Sequence, residues 1–146
     1  MTIDLSQLIL AGDKAAQALT DARNAAQAAL LARIEAVAAG VTGAVPLAEM
    51  LSWAAKEEAA RAHAEARATA GQAALITGEA AVTGEDTAAL VARIIANADA
   101  YRGVIAVLTG LRRRGIGEIA AADSPEAVAA VMQAIGAQLA LVSAPG

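Results

Sequence analysis

The chain has 146 residues, of which 58% are apolar but only 1% aromatic, and its net charge is −4 at neutral pH. This length suits one domain, the acidic balance gives no general attraction to nucleic acid or an anionic membrane, and the lack of cysteine excludes disulfides and thiolate metal sites. The apolar fraction is mostly alanine, which favours helix but buries little surface per residue. The composition therefore predicts long helices that complete their packing with further copies of the chain.

The first helix is predicted over residues 4–39, with Asp4 or Asp13 in position to cap its start. Its apolar face carries residues at helical spacing, namely Leu19, Ala26, Leu30, Ile34, Val37 and Val41. The stretch "GVTGAVP" at 40–46 ends this helix because two glycines and a proline disfavour its continuation.

The second helix is predicted over residues 46–70, and it begins at Pro46 because proline suits the first turn of a helix. Large apolar residues end at Trp53, so alanine alone supplies the apolar face beyond that point. Residues 71–84 are predicted as a loop with residual helix because glycines recur in this segment.

Two further helices are predicted, over residues 85–121 and 124–142. Glu85 and Asp86 lie in the first turn of the former, where the helix dipole favours acidic side chains. The latter begins at "DSPE", with Ser124 as its cap and a proline at the first helical position.

No segment alternates apolar and polar residues as a half-buried strand does, so an all-α fold is predicted. We expect residues 1–146 to form a single helical domain. In it, three to four long helices build an elongated hairpin or bundle that oligomerisation completes. The chain carries no charge from Ala127 onwards, but its large residues there follow one helical stripe. We therefore interpret this last segment as a packed helix and not as a membrane span.

His63, the only histidine, lies on a charged face of the second predicted helix. A metal site would need a second histidine or a carboxylate at helical spacing, and the positions three and four residues away hold only alanine and arginine. Beside it runs a predicted ladder of i, i+4 ion pairs formed by Glu57, Arg61 and Glu65. We interpret His63 as a solvated side chain on a helical rod.

Three consecutive arginines, Arg112, Arg113 and Arg114, are a candidate binding feature. Successive residues of a helix point about 100° apart, so at most two of the three can contact a common partner. They are predicted either to bind phosphate, or to pair with acids of a neighbouring subunit, or to be solvated.

A series of glycines with a spacing of seven falls on one helix face: Gly103, Gly110 and Gly117. Glycine inside a helix is unfavourable by up to about 1 kcal/mol relative to alanine. The series therefore indicates close approach of a helix from this chain or another subunit, or else a helix that breaks near "RRRGIG", where Gly115 adds a further glycine.

The sequence contains no paired catalytic carboxylates, no Ser/His/Asp set, no phosphate loop and no nucleotide fingerprint. One histidine and one tyrosine offer little for general acid–base or nucleophilic catalysis. The prediction is a non-enzymatic protein with no cofactor and no metal site.

Several stretches resemble one group of phage proteins. The opening "DLSQLILAGDKAAQAL" resembles the start of small bacteriophage proteins encoded near tail-fibre and baseplate genes. The stretch "WAAKEEA" from Trp53 is similar to an aromatic-x-x-Lys-x-x-Glu-Ala pattern on their second helix. The stretches "TGEDTAALVARIIANADAYR" and "RRRGIGEIAAADSPEAVAAV" are similar to their later helices.

This resemblance implies a structural or assembly role in a phage tail, and it carries over no catalytic residue. The expected partners are the chain itself, as a homo-oligomer, and a larger tail protein, with no nucleic acid or membrane. The expected location is the virion tail, with the host cytoplasm before assembly.

Two alternatives to a virion component remain open on the sequence. One is an assembly chaperone that binds fibre subunits and is absent from the mature particle. The other is a phasin-like amphipathic coat protein for lipid or polyester granules, although the scarcity of large aromatic residues on the apolar faces argues against it.

The residues predicted to form a protein interface are aromatic, large apolar or arginine side chains, which interfaces favour. They are Met50, Leu51, Trp53, Tyr101, Arg112, Arg113, Arg114 and Leu139.

Overall fold

The computed structural model describes residues 4–143, and every regular element in that range is an α-helix. The all-α prediction is therefore confirmed. The five helices are α1 (Leu5–Thr42), α2 (Leu47–Ala64), α3 (Ala70–Thr83), α4 (Thr87–Ala121) and α5 (Pro125–Ser143).

The segment predicted as a loop over residues 71–84 is instead the helix α3. Thr69 and Gln72 form a capping box at its start, in which the Gln72 amide donates to Thr69 Oγ1 and the Thr69 amide donates to Gln72 Oε1. Gly84, with a φ of 72°, provides the left-handed residue at its end. The glycines inside α3 lower its helix propensity without breaking it, because Ile76 and Ala80 anchor the helix in a core.

The helix α2 is shorter than its predicted span of 46–70 because it ends in a Schellman motif after Ala64. The Arg67 amide donates to the Ala62 carbonyl, and the Ala66 amide donates to the His63 carbonyl. Ala66 has a φ of 54°, a left-handed conformation that is unfavourable for any residue with a Cβ. The chain thus reverses here with an alanine where glycine is the usual choice.

Side-chain caps begin α1, α4 and α5, and the prediction that Glu85 and Asp86 lie in the first turn of their helix is wrong because α4 begins at Thr87. Asp4 Oδ1 accepts from the Ser6 amide at the start of α1, which decides between the two caps considered. Asp86 Oδ2 accepts from the Ala89 amide at the start of α4. Ser124 Oγ accepts from the Ala127 amide ahead of α5, which confirms Ser124 as the cap.

The chain was predicted as a single domain, and the described residues divide into two compact units. Unit 1 contains residues 4–41 and 106–143, and unit 2 is Thr42–Ile105. Unit 1 therefore consists of α1, the second half of α4 and α5, whereas unit 2 consists of α2, α3 and the first half of α4.

Large aliphatic side chains fill the core of unit 1. Its buried residues are Ala26, Leu30 and Ile34 of α1, Leu108, Leu111 and Ile119 of α4, and Val128, Ile135 and Leu139 of α5. Their three- and four-residue spacings place them on one face of each helix, as an amphipathic helix requires.

The close fit of unit 1 depends on Gly115 of α4. A Cβ at this position would lie 2.5 Å from Ile135 Cδ1 and 2.7 Å from Leu30 Cδ2, so a larger residue would displace both side chains. The three glycines of the seven-residue series have no such neighbour within 4 Å: Gly103, Gly110 and Gly117. Because α4 continues without interruption to Ala121, the predicted helix break near "RRRGIG" is wrong.

Small side chains dominate the core of unit 2. Its cluster of buried residues contains Ala59, Ala60, Ile76, Ala80, Leu90 and Val91, with Ile94 and Ile95 packed against it. Three of these six buried residues are alanines, so the helices meet through short side chains that bury little area each.

Candidate functional site

An aromatic pair links α2 to α4 within unit 2. The rings of Trp53 and Tyr101 meet edge to face, with their centroids 5.7 Å apart and their planes at 79°. Both residues are partly buried. The two aromatic residues predicted to face a partner protein therefore contact each other inside the chain.

Glu57 lies beside this pair and binds arginines from two helices. Its carboxylate accepts from Arg61 Nε at 2.8 Å, one turn further along α2, and it also pairs with Arg102 of α4. The Glu57 side chain is 13% exposed, which makes it the most buried carboxylate among these pairs. Sequence reasoning predicted the bond to Arg61 but not the bond to α4.

Arg61 extends the same network to a second carboxylate, that of Asp99 on α4. The predicted ladder from Glu57 through Arg61 to Glu65 is therefore only half present, because Glu65 pairs with Arg67 instead. The hydrogen bonds that Arg61 donates, first to Glu57 and then to Asp99, raise its pKa above the ordinary arginine value. Arg61 thus stays charged across the physiological pH range.

A further ion pair joins α2 to α3. Lys56 Nζ lies 2.6 Å from Glu79 Oε2, with the two side chains 21% and 31% exposed. Together with the Glu57 network, this joins α2 by charged bridges to both of the other helices of unit 2. Short seam residues let helices approach closely, so that long flanking side chains can reach across.

His63 is partly buried near the end of α2. Within residues 4–143, no group of three or more histidine, cysteine, aspartate or glutamate side chains is arranged to hold a metal ion. The charged network of unit 2 therefore joins helices and presents no chelating cluster in the described part of the chain.

The arginine triplet separates into different environments. Arg114 Nη2 donates to Gln138 Oε1 of α5 at 2.9 Å. Arg114 Nε lies 3.5 Å from Glu118 Oε1, one turn further along α4. The side chains of Arg112 and Arg113 make no hydrogen bond or ion pair to another residue in the range 4–143, and both residues are exposed. Two unpaired guanidinium groups are thus left on the surface of unit 1.

Arg112 lines a shallow cleft in unit 1 between α1 and α4, with a volume of about 360 Å³. Its polar lining comes from Arg112 and the amides of Asn24 and Gln27, and its apolar lining from Ala28, Leu30, Leu31 and Ile116. None of these side chains is both buried and charged, so the cleft lacks the enclosed polar groups typical of a specific small-molecule site.

The remaining predicted interface residues differ in their accessibility. Leu51 is 75% exposed, and Met50 beside it is partly buried. Leu139 is only 4% exposed and belongs to the core of unit 1, so the prediction that it contacts a partner is wrong. It lies on the same face of α5 as Val128 and Ile135, and a helix of this kind buries the face with the largest side chains.

A row of exposed large apolar side chains lies at the start of α1, where sequence reasoning predicted no site. We call it the N-terminal face and define it as Leu5, Leu8, Ile9, Gly12, Ala15, Ala16 and Leu19. Leu5, Leu8 and Ile9 are 70%, 58% and 65% exposed. The spacing of three and four residues in "LSQLILAG" was the signal for it.

The N-terminal face continues the packed face of α1. Steps of three or four residues lead from Leu19 through Ala26 to Leu30 and Ile34, which are buried in unit 1. Every residue from Asp4 to Ala18 is nevertheless exposed. The same apolar stripe is therefore covered by α4 and α5 in one part of α1 and uncovered in the other.

Within residues 4–143, three helices are long and apolar enough to cross a membrane by length and composition alone: α1, α4 and α5. Of the apolar window in each, 17%, 11% and 22% respectively is buried inside the protein. Apolar surface available to a partner or a lipid is therefore abundant in this chain.

Comparison of the chain with protein-family models, with curated proteins and with solved structures found no match.

Proposed function

We propose that this protein is a non-enzymatic structural component of a bacteriophage tail, associated with the fibre or baseplate. In this proposal it packs through alanine- and leucine-lined helix faces against further copies of itself and against a larger tail protein. The opening "DLSQLILAGDKAAQAL" and the other resembling stretches supply the phage assignment. The geometry supplies the argument for packing against other chains.

The observation that carries this proposal is the uncovered N-terminal face of α1. A soluble monomer seldom exposes a contiguous row of large aliphatic side chains, and such a row is typical of a surface that another protein covers. The face is held on a rigid helix that Asp4 caps and unit 1 anchors. A protein that works as a connector needs this combination of a fixed base and a projecting apolar surface.

The ionisable side chains in the described range support the same conclusion. The arginines and carboxylates of unit 2 are joined to one another between helices and do not converge on a cavity. The cleft at Arg112 is shallow and has no buried charged group. Catalysis requires groups that converge on a site from which water can be excluded.

The test is peptide mass spectrometry on phage particles purified from the producing strain by two successive density gradients. A virion component stays at a fixed ratio to the tail proteins through both gradients, because its contacts survive dilution. A host protein that merely co-sediments falls in ratio from the first gradient to the second and serves as the control. A chain that is lost from the particles contradicts the proposal and favours the assembly chaperone.

A lipid- or polyester-granule coat is the second candidate, and the three long apolar helices favour it. Flotation with vesicles of neutral lipid distinguishes it from the tail component. A coat protein floats with the vesicles, whereas a tail component stays at the bottom of the gradient. Unit 1 already packs α5 through Val128, Ile135 and Leu139, and a lipid surface would have to compete with these contacts.

A further inference from the structure

Gly12 lies at the centre of the N-terminal face, and no contact within its own chain requires a glycine at this position. A Cβ built on Gly12 meets no heavy atom within 4 Å, and its φ is an ordinary helical one. Glycine in the middle of a helix is destabilising relative to alanine, because it loses more freedom on folding. Other helical glycines such as Gly78 and Gly117 share this open environment, so what distinguishes Gly12 is the row of exposed large side chains beside it.

The residues around Gly12 are arranged so that the face is complementary to itself. Seven residues before Gly12 lies Leu5, and seven after it lies Leu19. Leu8 and Ile9, on the early side, have Ala15 and Ala16 as their counterparts on the late side. A two-fold axis through Gly12 therefore brings Leu8 and Ile9 opposite Ala15 and Ala16, with Leu5 opposite Leu19 at the two ends of the contact.

We infer that α1 pairs antiparallel with α1 of a second copy, and that the two helices cross at Gly12. In this arrangement Leu8 and Ile9 of one copy fill the space above Ala15 and Ala16 of the other, and the two glycines let the backbones approach. A parallel pair would set Leu8 and Ile9 against their own equivalents and leave a gap at the alanines. The large-against-small pattern favours the antiparallel arrangement.

The second copy is the occupant that the face fits best. The N-terminal face carries no charge; Asp13 lies at its edge and Lys14 on the opposite side of the helix. Its stripe continues an interface that already exists, since Ala26, Leu30 and Ile34 on the same face pack against α4 and α5. An isologous contact also needs only one surface, which this chain supplies.

The size of the contact sets its strength. Residues 5–19 span about 21 Å of helix, and at a helix width of about 10 Å the contact covers roughly 200–300 Å² on each copy. A standard stable interface covers about 800 Å² on each partner. The pair is therefore a weak, transient dimer that forms only at high protein concentration. This inference rests on the self-association part of the proposed function and not on the tail assignment.

The first test is sedimentation equilibrium of the full chain up to millimolar concentration, with the variant Gly12→Gln. Glutamine is the better helix former, so the variant folds, but its side chain blocks the crossing and weakens the dimer at least tenfold. The matched control is Gly78→Gln, at a helical glycine of α3 that also has no neighbour within 4 Å, and the dimer remains. A monomeric wild type, or equal dimerisation of the Gly12 variant, overturns the inference.

The orientation is tested by disulfide formation, which the absence of native cysteine makes unambiguous. A mixture of Leu8→Cys chains and Ala15→Cys chains forms a cross-linked dimer under mild oxidation, because the antiparallel pair brings these two positions together. Neither variant alone cross-links efficiently, because each position is then too far from its own equivalent for a disulfide. Efficient cross-linking of Leu8→Cys with itself shows a parallel pair and overturns the inference.

These outcomes are independent of the particle experiment. A chain that bands with phage but stays monomeric and does not cross-link refutes the α1 pair and leaves the tail assignment in place. A chain that dimerises through Gly12 but is absent from particles refutes the tail assignment and leaves the pair in place.

Discussion

The two units of this chain hold three helical segments together in different ways. In unit 1, leucines and isoleucines interlock around Gly115, and the described residues make no ion pair between helices. In unit 2, alanines line the seam, and its flanks carry the Trp53–Tyr101 pair and the ion pairs of Glu57 and Lys56. A helix face that buries little area needs other contacts to fix its neighbours.

The stability of the two units should therefore depend on different kinds of substitution. Packing of large side chains is sensitive to a change of volume and insensitive to salt, because it has no directional or charged partner. Ion pairs at the flank of a seam respond to salt but tolerate changes of volume, because solvent screens them and leaves room around them. Substitutions that alter volume should therefore affect unit 1 most, and those that alter charge should affect unit 2 most.

The largest effect is expected from Ile135→Ala in unit 1. Ile135 is fully buried against Leu30 and Gly115, so its truncation leaves a cavity and lowers the free energy of unfolding by about 2–5 kcal/mol. Urea denaturation followed by far-UV circular dichroism measures the loss. The control is Leu141→Ala on the same helix, where the side chain is 78% exposed and the loss should be below about 1 kcal/mol.

The next largest effect is expected from Gly115→Leu. The new side chain collides with Ile135 and Leu30, and overpacking of this kind lowers stability by about 1–3 kcal/mol. Gly117→Leu is the matched control on the same helix, because a Cβ there meets nothing within 4 Å. The control should gain stability through helix propensity. Equal behaviour of the two variants would contradict the close packing described for Gly115.

A smaller effect is expected from Glu57→Gln in unit 2. The substitution removes two arginine ion pairs and keeps the size of the side chain. The urea midpoint should fall by roughly a few tenths of a molar at low salt, and by less at high salt, where the pairs are already screened. Glu58→Gln, at the exposed neighbouring position, is the control and should leave the midpoint unchanged.

A gain of similar size is expected from Ala66→Gly. Ala66 has the left-handed conformation that closes α2, and glycine adopts it without a Cβ clash. The gain should be about 1 kcal/mol, reduced slightly by the greater freedom of glycine in the unfolded chain. Thermal unfolding measures it. A loss of stability would show that the turn at residues 65–67 differs from the one described.

The smallest effect concerns alkaline pH. The pKa of Arg61 is raised above its ordinary value, first by Glu57 and then by Asp99. Its ion pairs therefore contribute fully below the pKa of an unperturbed arginine and are lost only as the pH rises through the higher folded pKa. The stability difference between wild type and Glu57→Gln should thus be the same at pH 7 and pH 9. A difference that narrows over this range would contradict the assignment.

Much of the fold follows from local signals in the sequence. The caps Asp4 and Ser124 and the terminator at residues 40–46 place the helix ends to within a few residues, whereas Asp86 caps α4 from outside the first turn in which it was expected. The helix α3 was not predicted because its two glycines indicate a loop, although the T-x-x-Q capping box at Thr69 indicates a helix start. Local propensity could not reveal that a short helix is stabilised by burying Ile76 and Ala80.

The candidate site was less accessible to sequence reasoning. The sequence shows which side chains are large, aromatic or charged, and these became the predicted interface. It does not show that Trp53 and Tyr101 contact each other or that Leu139 is buried, because both depend on the packing of distant segments. The N-terminal face had a periodic signal, but only the fold shows that α4 and α5 leave it uncovered.

The aromatic pair also determines which unit of the protein intrinsic fluorescence can follow. Trp53 and Tyr101 are the only tryptophan and tyrosine, the chain has no phenylalanine, and both lie in unit 2. Intrinsic fluorescence therefore reports the unfolding of unit 2 alone, because unit 1 has no fluorescent side chain of its own. A fluorescence transition that does not coincide with the loss of helical dichroism would show the two halves melting separately.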